Sequence, residues 1–313
     1  MIKKNIYGGN LKAQLIAGAN DRMVHFTLAG DSVRGVVVNG TRMVNEMRAN
    51  HQLGILETLV LGRAYLGAVM MTAGLKGGDR ISLQIDCSGP IKGLAVDANA
   101  FGEVRGYLKS VPIPIEKPMG SFDLAPFFGA GFLTVTRYLE KAKHPFTSRV
   151  ALQYGNIARD LAYYCLTSEQ IPSAFNLSIQ FNREGQVVGA GGLFIQTMPG
   201  ADEEVVAELE AQVEGFPSLG KAFESGSRPL QILLKEFQAN TPRVLAERRV
   251  EFMCHCNRDK VYNLLMMLPY EDLNDILENG PFPLELRCHN CSTRYPFDRD
   301  EIRGVYGLRF PDN

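Results

Sequence analysis

Between Met23 and Leu28 apolar and polar positions alternate, with Val24, Phe26 and Leu28 on one side. A second apolar run, Val33 to Val38, follows Gly30-Asp31, so the spacing predicts a β-hairpin turning on that pair. Thr41 is placed to cap the helix that follows. From Leu53 through Met71 apolar residues crowd every side of the helical wheel, which predicts a helix buried around most of its circumference. Three strand patterns come next, Ile81 to Asp86, Ile91 to Val96 and Val104 to Leu108, separated by Gly, Pro or Asn. Pro112, Pro114 and Pro118 interrupt the pattern, and Phe132 to Tyr138 restarts it as a strand. Ile157 to Leu166 is helical, with Ile157, Leu161 and Tyr164 on one face. Two further strands, Phe175 to Phe181 and Gln186 to Gln196, are joined by Asn182-Arg183-Glu184-Gly185. Strands in antiparallel succession beside one long apolar helix predict an α+β fold, an N-terminal antiparallel sheet core packed with helices, closing as one domain over 1–199.

After Pro199-Gly200 the pattern thins. Asp202, Glu203 and Glu204 load a helix N-terminus with the charge its dipole favours, and Val205 or Val206, Leu209 and Val213 make a narrow apolar stripe. Gly215, Pro217, Gly220 and Gly226 punctuate the next stretch before a brief helical pattern from Leu230 to Phe237. Helices this short and weakly amphipathic hold only when docked on a neighbour. Residues 200–250 are therefore expected to form a marginally stable helical linker, ahead of a small C-terminal domain over 251–313.

That last region carries the candidate chemistry. Four of the chain's six cysteines form two clusters, Cys254-His255-Cys256 and Cys288-His289-Asn290-Cys291, separated by residues 257–287. Two thiolates from each of two tight turns converge on a tetrahedral ion without straining the chain between them, so Cys254, Cys256, Cys288 and Cys291 are expected to hold one Zn²⁺. The spacer has its own helical pattern: Val261, Leu264, Leu265 and Leu268, a break at Pro269, then Leu273, Ile276 and Leu277 up to Asn279-Gly280. His255 and His289 read as bystanders beside a complete sulfur set. Cys87 and Cys165, alone on apolar stretches, read as ordinary buried thiols. The local pattern leaves a structural staple and a switch equally open.

Composition narrows the function classes. The 313 residues carry 33 basic and 34 acidic groups, a net charge of −1, so no overall field draws nucleic acid or anionic lipid. The zinc region is itself more acidic than basic. Glu57 and Arg63, with Gly54, Gly62 and Gly67, within Leu53 to Leu75 argue for a core helix against a membrane span. The N-terminal Met1-Ile2-Lys3-Lys4 leads only to a short apolar run between Lys12 and Asp21, so no export signal is read, and the thiols are expected in a reducing cytoplasm. Gly189-Ala190-Gly191-Gly192 lacks a dinucleotide fingerprint, and Gly74-Leu75-Lys76-Gly77-Gly78 lacks a phosphate-loop pattern; both read as turns or bulges. Nothing nominates a catalytic centre, so the chain is not expected to be an enzyme.

Taken together, the CxC and CxxC pairs, Gly191 to Gly200, Ser168-Glu169-Gln170 and Gly102-Glu103-Val104-Arg105-Gly106 resemble the 33 kDa chaperonin family over nearly the full length. One departure is Asn156, where the family commonly has an acidic residue. The resemblance implies a redox-regulated, ATP-independent chaperone, inactive while reduced and zinc-bound and activated by oxidants with unfolding stress. It also implies disulfides Cys254–Cys256 and Cys288–Cys291 in the oxidised state, unfolding of the linker, unfolded proteins as clients and a homodimer when oxidised. Zinc has no redox chemistry, so an oxidant would act on the sulfurs and remove the ligands. Two readings from other classes stand beside it. A zinc-ribbon adaptor for nucleic acid has the wrong charge balance, and a thiol-disulfide oxidoreductase lacks a thioredoxin-like setting around Cys288.

Overall fold

The structure is a computed structural model that describes residues 1–115 and 123–310, with the backbone alone at 12, 14, 18, 203 and 205. Pro118 and the side chain of Val205 thus lie outside the described residues. Two compact units divide the chain. Lys4–Phe252 form a core unit, and Met1–Lys3 with Met253–Asn313 form a C-terminal module.

The core unit runs α1 (Leu11–Asn20), β1 (Arg22–Leu28), β2 (Val33–Asn39), α2 (Thr41–His51), α3 (Ile55–Met70), β3 (Arg80–Cys87), β4 (Gly93–Asn99) and β5 (Glu103–Leu108). It continues with α4 (Ala125–Phe128), β6 (Gly131–Tyr138), β7 (Phe146–Ala151), α5 (Ile157–Thr167), β8 (Ser173–Phe181) and β9 (Val187–Thr197). Then come α6 (Glu203–Glu214), α7 (Leu219–Glu224), α8 (Pro229–Glu236), β10 (Arg243–Arg249) and β11 (Glu251–Phe252). The fold is α+β with two sheets, ordered β10-β1-β2-β9-β8 and β11-β5-β4-β3-β6-β7. All pairs are antiparallel except β11 with β5. The helix read from Leu53 to Met71 is α3 and packs against strands of both sheets, which is why its residues are buried on nearly every side. Extended by the turn to Gly74 it is long and apolar enough to cross a membrane, yet 89% of that window is buried inside the unit.

Two local expectations fail for long-range reasons. Thr41 does not cap α2: Gly40 stands at the cap position without a side-chain bond, and Thr41 Oγ1 instead donates to Asn39 Oδ1 at 2.7 Å and accepts from the Ala190 amide at 3.0 Å. The orphan amides of α2 are met by Asp21, whose carboxylate accepts from Arg42 N at 3.1 Å and Met43 N at 2.7 Å. Gly189-Ala190-Gly191-Gly192 is no turn but lies within β9, and the register of β9 against β8 shifts just ahead of it, where Phe181 faces Val187 and Gln180 faces Gly189. There a Cβ at Gly189 would lie 1.9 Å from Gly220 O, and one at Gly191 would lie 2.1 Å from the Phe223 ring, so these glycines let α7 approach the sheet. Asn156, the family departure, caps α5 by accepting from the amides of Ala158 and Arg159.

The segment expected as a marginal helical linker contributes α6, α7 and α8, then β10 paired with β1 from Arg22↔Arg249 to Thr27↔Arg243. The helices cover one face of β1, β2 and β9. Phe216 and Phe237 stack at 5.6 Å, Phe237 meets Phe26 at 5.9 Å, and Leu209, Leu219, Phe223 and Leu233 complete the cluster. Burying each such side chain contributes about 1.5–3 kcal/mol, against which the ordering of three short helices must be set.

Asp21 and His25 make opposing pH contributions in this unit. Burial pushes the Asp21 carboxyl up to about 7, and burial with the neighbouring Arg248 pushes His25 down to about 4. Between about pH 4 and 7 native Asp21 keeps a proton that the unfolded chain loses, so its stabilisation grows as pH falls and is lost as pH rises through about 7. Between about 6.5 and 4 the unfolded chain protonates a histidine that the native state keeps neutral, so stability is lost as pH falls. Each slope is at most about 1.4 kcal/mol per pH unit, and over the shared window they cancel. Asp21→Asn is expected to uncover the histidine slope in urea titrations from pH 6.5 to 4.5, with stability falling toward acid. A variant whose midpoint changes with pH no differently from the parent's contradicts this assignment.

The C-terminal module contains α9 (Arg258–Leu265), α10 (Tyr270–Asn279), β12 (Leu284–Arg287), β13 (Arg294–Phe297) and α11 (Arg299–Arg309). The spacer pattern thus corresponds to α9 and α10. Its core is small: Val261, Leu265, Leu273, Tyr295, Phe297, Ile302 and Val305. Asp298 and Glu301 form a capping box at α11, and Arg258 clamps Glu301 at 2.6 and 2.8 Å while lying 4.4 Å over the Phe297 ring. A module of about 60 residues buries too little for ample stability without a staple.

Candidate metal centre

Cys254 and Cys256 lie on the extended stretch before α9, whose first turn is capped by Asn257 accepting from Lys260 N at 2.8 Å. Cys288 and Cys291 lie in the turn between β12 and β13. That turn is closed by Cys288 N donating to Thr293 O at 2.9 Å and Ser292 N donating to Cys288 O at 2.7 Å, with Ser292 at a φ of 55°. A cap on one side and a tight turn on the other aim four sulfurs at one point.

All four Sγ atoms lie within 4.8 Å of one another. Cys254 and Cys288 are 3.9 Å apart and Cys256 and Cys291 3.3 Å, close to the ~3.8 Å edge of a tetrahedron with ~2.3 Å metal–sulfur bonds. Cys254 and Cys291 are buried, while Cys256 and Cys288 are half-buried. The four cysteines singled out from spacing are thus brought together in a set able to hold a metal ion. His255 and His289 do not belong to the cluster.

The protons on the cluster point the same way. Hydrogen bonds from Cys288 and Cys291 draw the Cys254 thiol far below its ordinary range. Cys288, chiefly through its bond to Cys254, is pushed up to about 11, and Cys291 is raised further. One thiolate satisfied by neighbouring thiols is what the cluster supports by itself. Reaching the tetrathiolate takes a cation, and soft sulfur donors suit a borderline-soft divalent ion. The set fits a zinc-type ion in both geometry and donor chemistry.

Supporting groups come from residues that spacing did not mark. Tyr295, its hydroxyl kept protonated by burial and by the bond to Cys256, donates to Cys256 Sγ at 3.1 Å. Thr293 Oγ1 lies 3.2 Å from Cys291 Sγ and accepts from Ile2 N at 3.2 Å, so residues 1–3 complete the module from the far end of the chain. Neither contact has a motif by which a linear reading could find it. Tyr295→Phe is expected to weaken metal binding by about 10- to 100-fold, as loss of an outer-shell partner does, in competition against a chromophoric chelator. Unchanged affinity would reduce Tyr295 to packing.

Of the two remaining cysteines, Cys165 is buried as expected and Cys87 only half-buried. Burial pushes Cys165 up to about 12 and raises Cys87, which makes both poor nucleophiles.

The family model described as Hsp33 protein matches residues 21–298. The 33 kDa chaperonin of Ruminiclostridium cellulolyticum is 36% identical over 288 residues, covering 91% of this chain and 97% of that one. The 33 kDa chaperonin of Thermotoga maritima is 35% identical over 295 residues, covering 93% of this chain and 99% of that one. A crystal structure of the 33 kDa chaperonin from Thermotoga maritima, a heat shock protein 33 homolog, matches with a TM-score of 0.84 at 34% identity, covering 94% of this chain and 100% of that chain.

Proposed function

The chain belongs to the Hsp33 family, and from that premise we propose that it is an ATP-independent holdase governed by the redox state of Cys254, Cys256, Cys288 and Cys291. The observation that carries the redox part is the convergence of four sulfurs within 4.8 Å at the base of a module with a small core. In the reduced state the four thiolates would hold one Zn²⁺, whose contribution is to keep the sulfurs ionised and tie the two turns together. Thiolates so held remain nucleophiles toward peroxide. Each pair of thiolates would give up two electrons, one molecule of hydrogen peroxide would take them together with two protons from solvent and become two of water, and a disulfide would replace two ligands. The pairs taken from the family resemblance are Cys254–Cys256 and Cys288–Cys291. Rings that small constrain little chain and restore little of the lost stability.

Without its ligand set the module loses the tie between its turns and unfolds. Its apolar residues, and those of a linker released from the sheet, become the surface that holds unfolded clients, with little sequence specificity. Linker release under unfolding stress fits the shortness of α6, α7 and α8. On this reading the oxidised form is a homodimer, the site of action is the cytoplasm, no reaction is catalysed and nucleic acid is not a partner. Reduced protein is expected to carry one zinc and leave aggregation of a denaturing client unaffected. Peroxide with mild heat is expected to release the metal to a colorimetric chelator and switch suppression on. Suppression equally strong before and after oxidation would leave only a structural staple.

A further inference from the structure

A cavity of about 500 Å³ opens in the core unit where β1, β2 and β9 meet the loop after α3 and the residues following α5. That volume is within the ordinary range for small-molecule sites. Its rim carries Arg34, Lys76 and Arg137, and its walls include the single carboxylate Glu169. Glu169 is already paired with Arg137. Arg34 Nε donates to the neutral Gln196 Oε1 at 3.0 Å, and Gln196 is held in that orientation by donating to Ser173 Oγ at 3.1 Å. Neither the Arg34 guanidinium nor the Lys76 ammonium forms an ion pair with a carboxylate among the described residues, although the Lys76 amide donates to Asp79 Oδ2 at 3.2 Å.

Deeper in, the His25 ring lines the same cavity. It is 9% exposed, and its Nε2 has no hydrogen-bond partner. The pairing Met23↔Arg248 and His25↔Ala246 puts Arg248 beside His25 on one face of the sheet, and Arg248 Nη1 is likewise buried and unpartnered. Three cationic side chains against one carboxylate, itself engaged by Arg137, leave the lining with two positive charges in excess, a site short of an anion. Met71 and Phe194 add apolar wall for a body attached to the charged head.

We propose that this cavity binds a small organic anion, its carboxylate or phosphate group against Arg34 and Arg137 and its apolar body on Met71 and Phe194 beside His25. The site is built from the core unit alone and does not depend on the cysteine cluster being a switch. Because Leu245 of β10 also lines it, an occupant would touch both the sheet and the strand that follows the linker helices.

The test is histidine-resolved NMR on the full-length reduced, metal-loaded protein, titrated with phenyl phosphate, benzoate and the neutral benzyl alcohol. At least one anion is expected to shift the His25 imidazole signals saturably in the millimolar range or below, and the one that does identifies the headgroup. Benzyl alcohol is expected to leave the signals in place. Arg34→Gln, at an exposed position that preserves the fold, is expected to weaken the anion about tenfold or more through loss of a charge-assisted contact. No saturable shift with either anion, an equal response to benzyl alcohol, or undiminished binding by the Arg34→Gln protein would each overturn the proposal.

Discussion

Replacing Cys288 and Cys291 together by serine is expected to abolish metal binding and unfold residues 253–310 while both sheets of the core unit persist. The expectation follows from comparing two magnitudes. A structural zinc contributes an apparent ~10 to 16 kcal/mol to a small module. A single core at this size seldom supplies more than about 3–5 kcal/mol. The core here rests on seven buried side chains, Val261, Leu265, Leu273, Tyr295, Phe297, Ile302 and Val305, with partly buried hydrophobics such as Ile276, Leu284 and Phe310 around them. The turn from Cys288 to Thr293 is closed by backbone hydrogen bonds within itself, and its sulfurs meet those of the Cys254–Cys256 stretch. Backbone NMR signals of the module should collapse to the unfolded region with those of Lys4–Phe252 in place, and the protein should suppress client aggregation without oxidant. A module that keeps its dispersed signals with no metal bound would remove the basis of the switch.

Gly189→Ala is expected to produce the complementary state, an undocked linker with the metal retained. The added methyl would lie 1.9 Å from Gly220 O, 2.9 Å from the Gly220 carbonyl carbon and 3.0 Å from Glu224 N, all of them backbone of α7. No side chain can swing aside. Strand β9 cannot retreat either, since its pairings with β2 and β8 hold it from both sides. The six-residue α7 must therefore lift. Overpacking ordinarily costs about 1–3 kcal/mol where side chains can adjust, and a backbone collision belongs at or above the top of that range. Helices this short do not survive undocked, so proteases should cut within 203–240, metal content should match the parent, and the reduced protein should hold clients. Gly220→Ala, meeting Gln180 N at 2.9 Å and Ser178 Oγ at 3.0 Å, should give a milder form of the same result. An undocked linker with no holding activity would exclude this face as the client surface, and a linker still protected would show that α7 adjusts in place.

What could be read along the chain follows from how local each signal is. The β1–β2 hairpin, the all-round burial of α3 and the strand β6 are written in periods of two and 3.6 residues. The cysteine set was equally legible, because CxC and CxxC restrict ligand geometry over a few residues and thiol chemistry restricts the ion. Strands β7 and β10 were not: they stand at or near the sheet margins, largely exposed on both faces, so burial imposes no alternation on their sequences. The glycines of β9 were misread for a related reason, since a glycine that admits a passing helix has the same letter as one that makes a turn.

The sequence by itself determined the α+β character, the central helix and the four sulfurs, because each depends on residues a few positions apart. Only the tertiary structure decided that Asp21 caps α2, that Gly189 makes room for α7, that Tyr295 and Thr293 support the sulfurs with Ile2 beside them, and that Arg34 meets Gln196 at a cavity lined by His25. Those contacts join positions that chain connectivity leaves uncorrelated. They exist only once two sheets close on one helix and a small module folds around its cysteines, and the free energy of that closure is spread over the whole core.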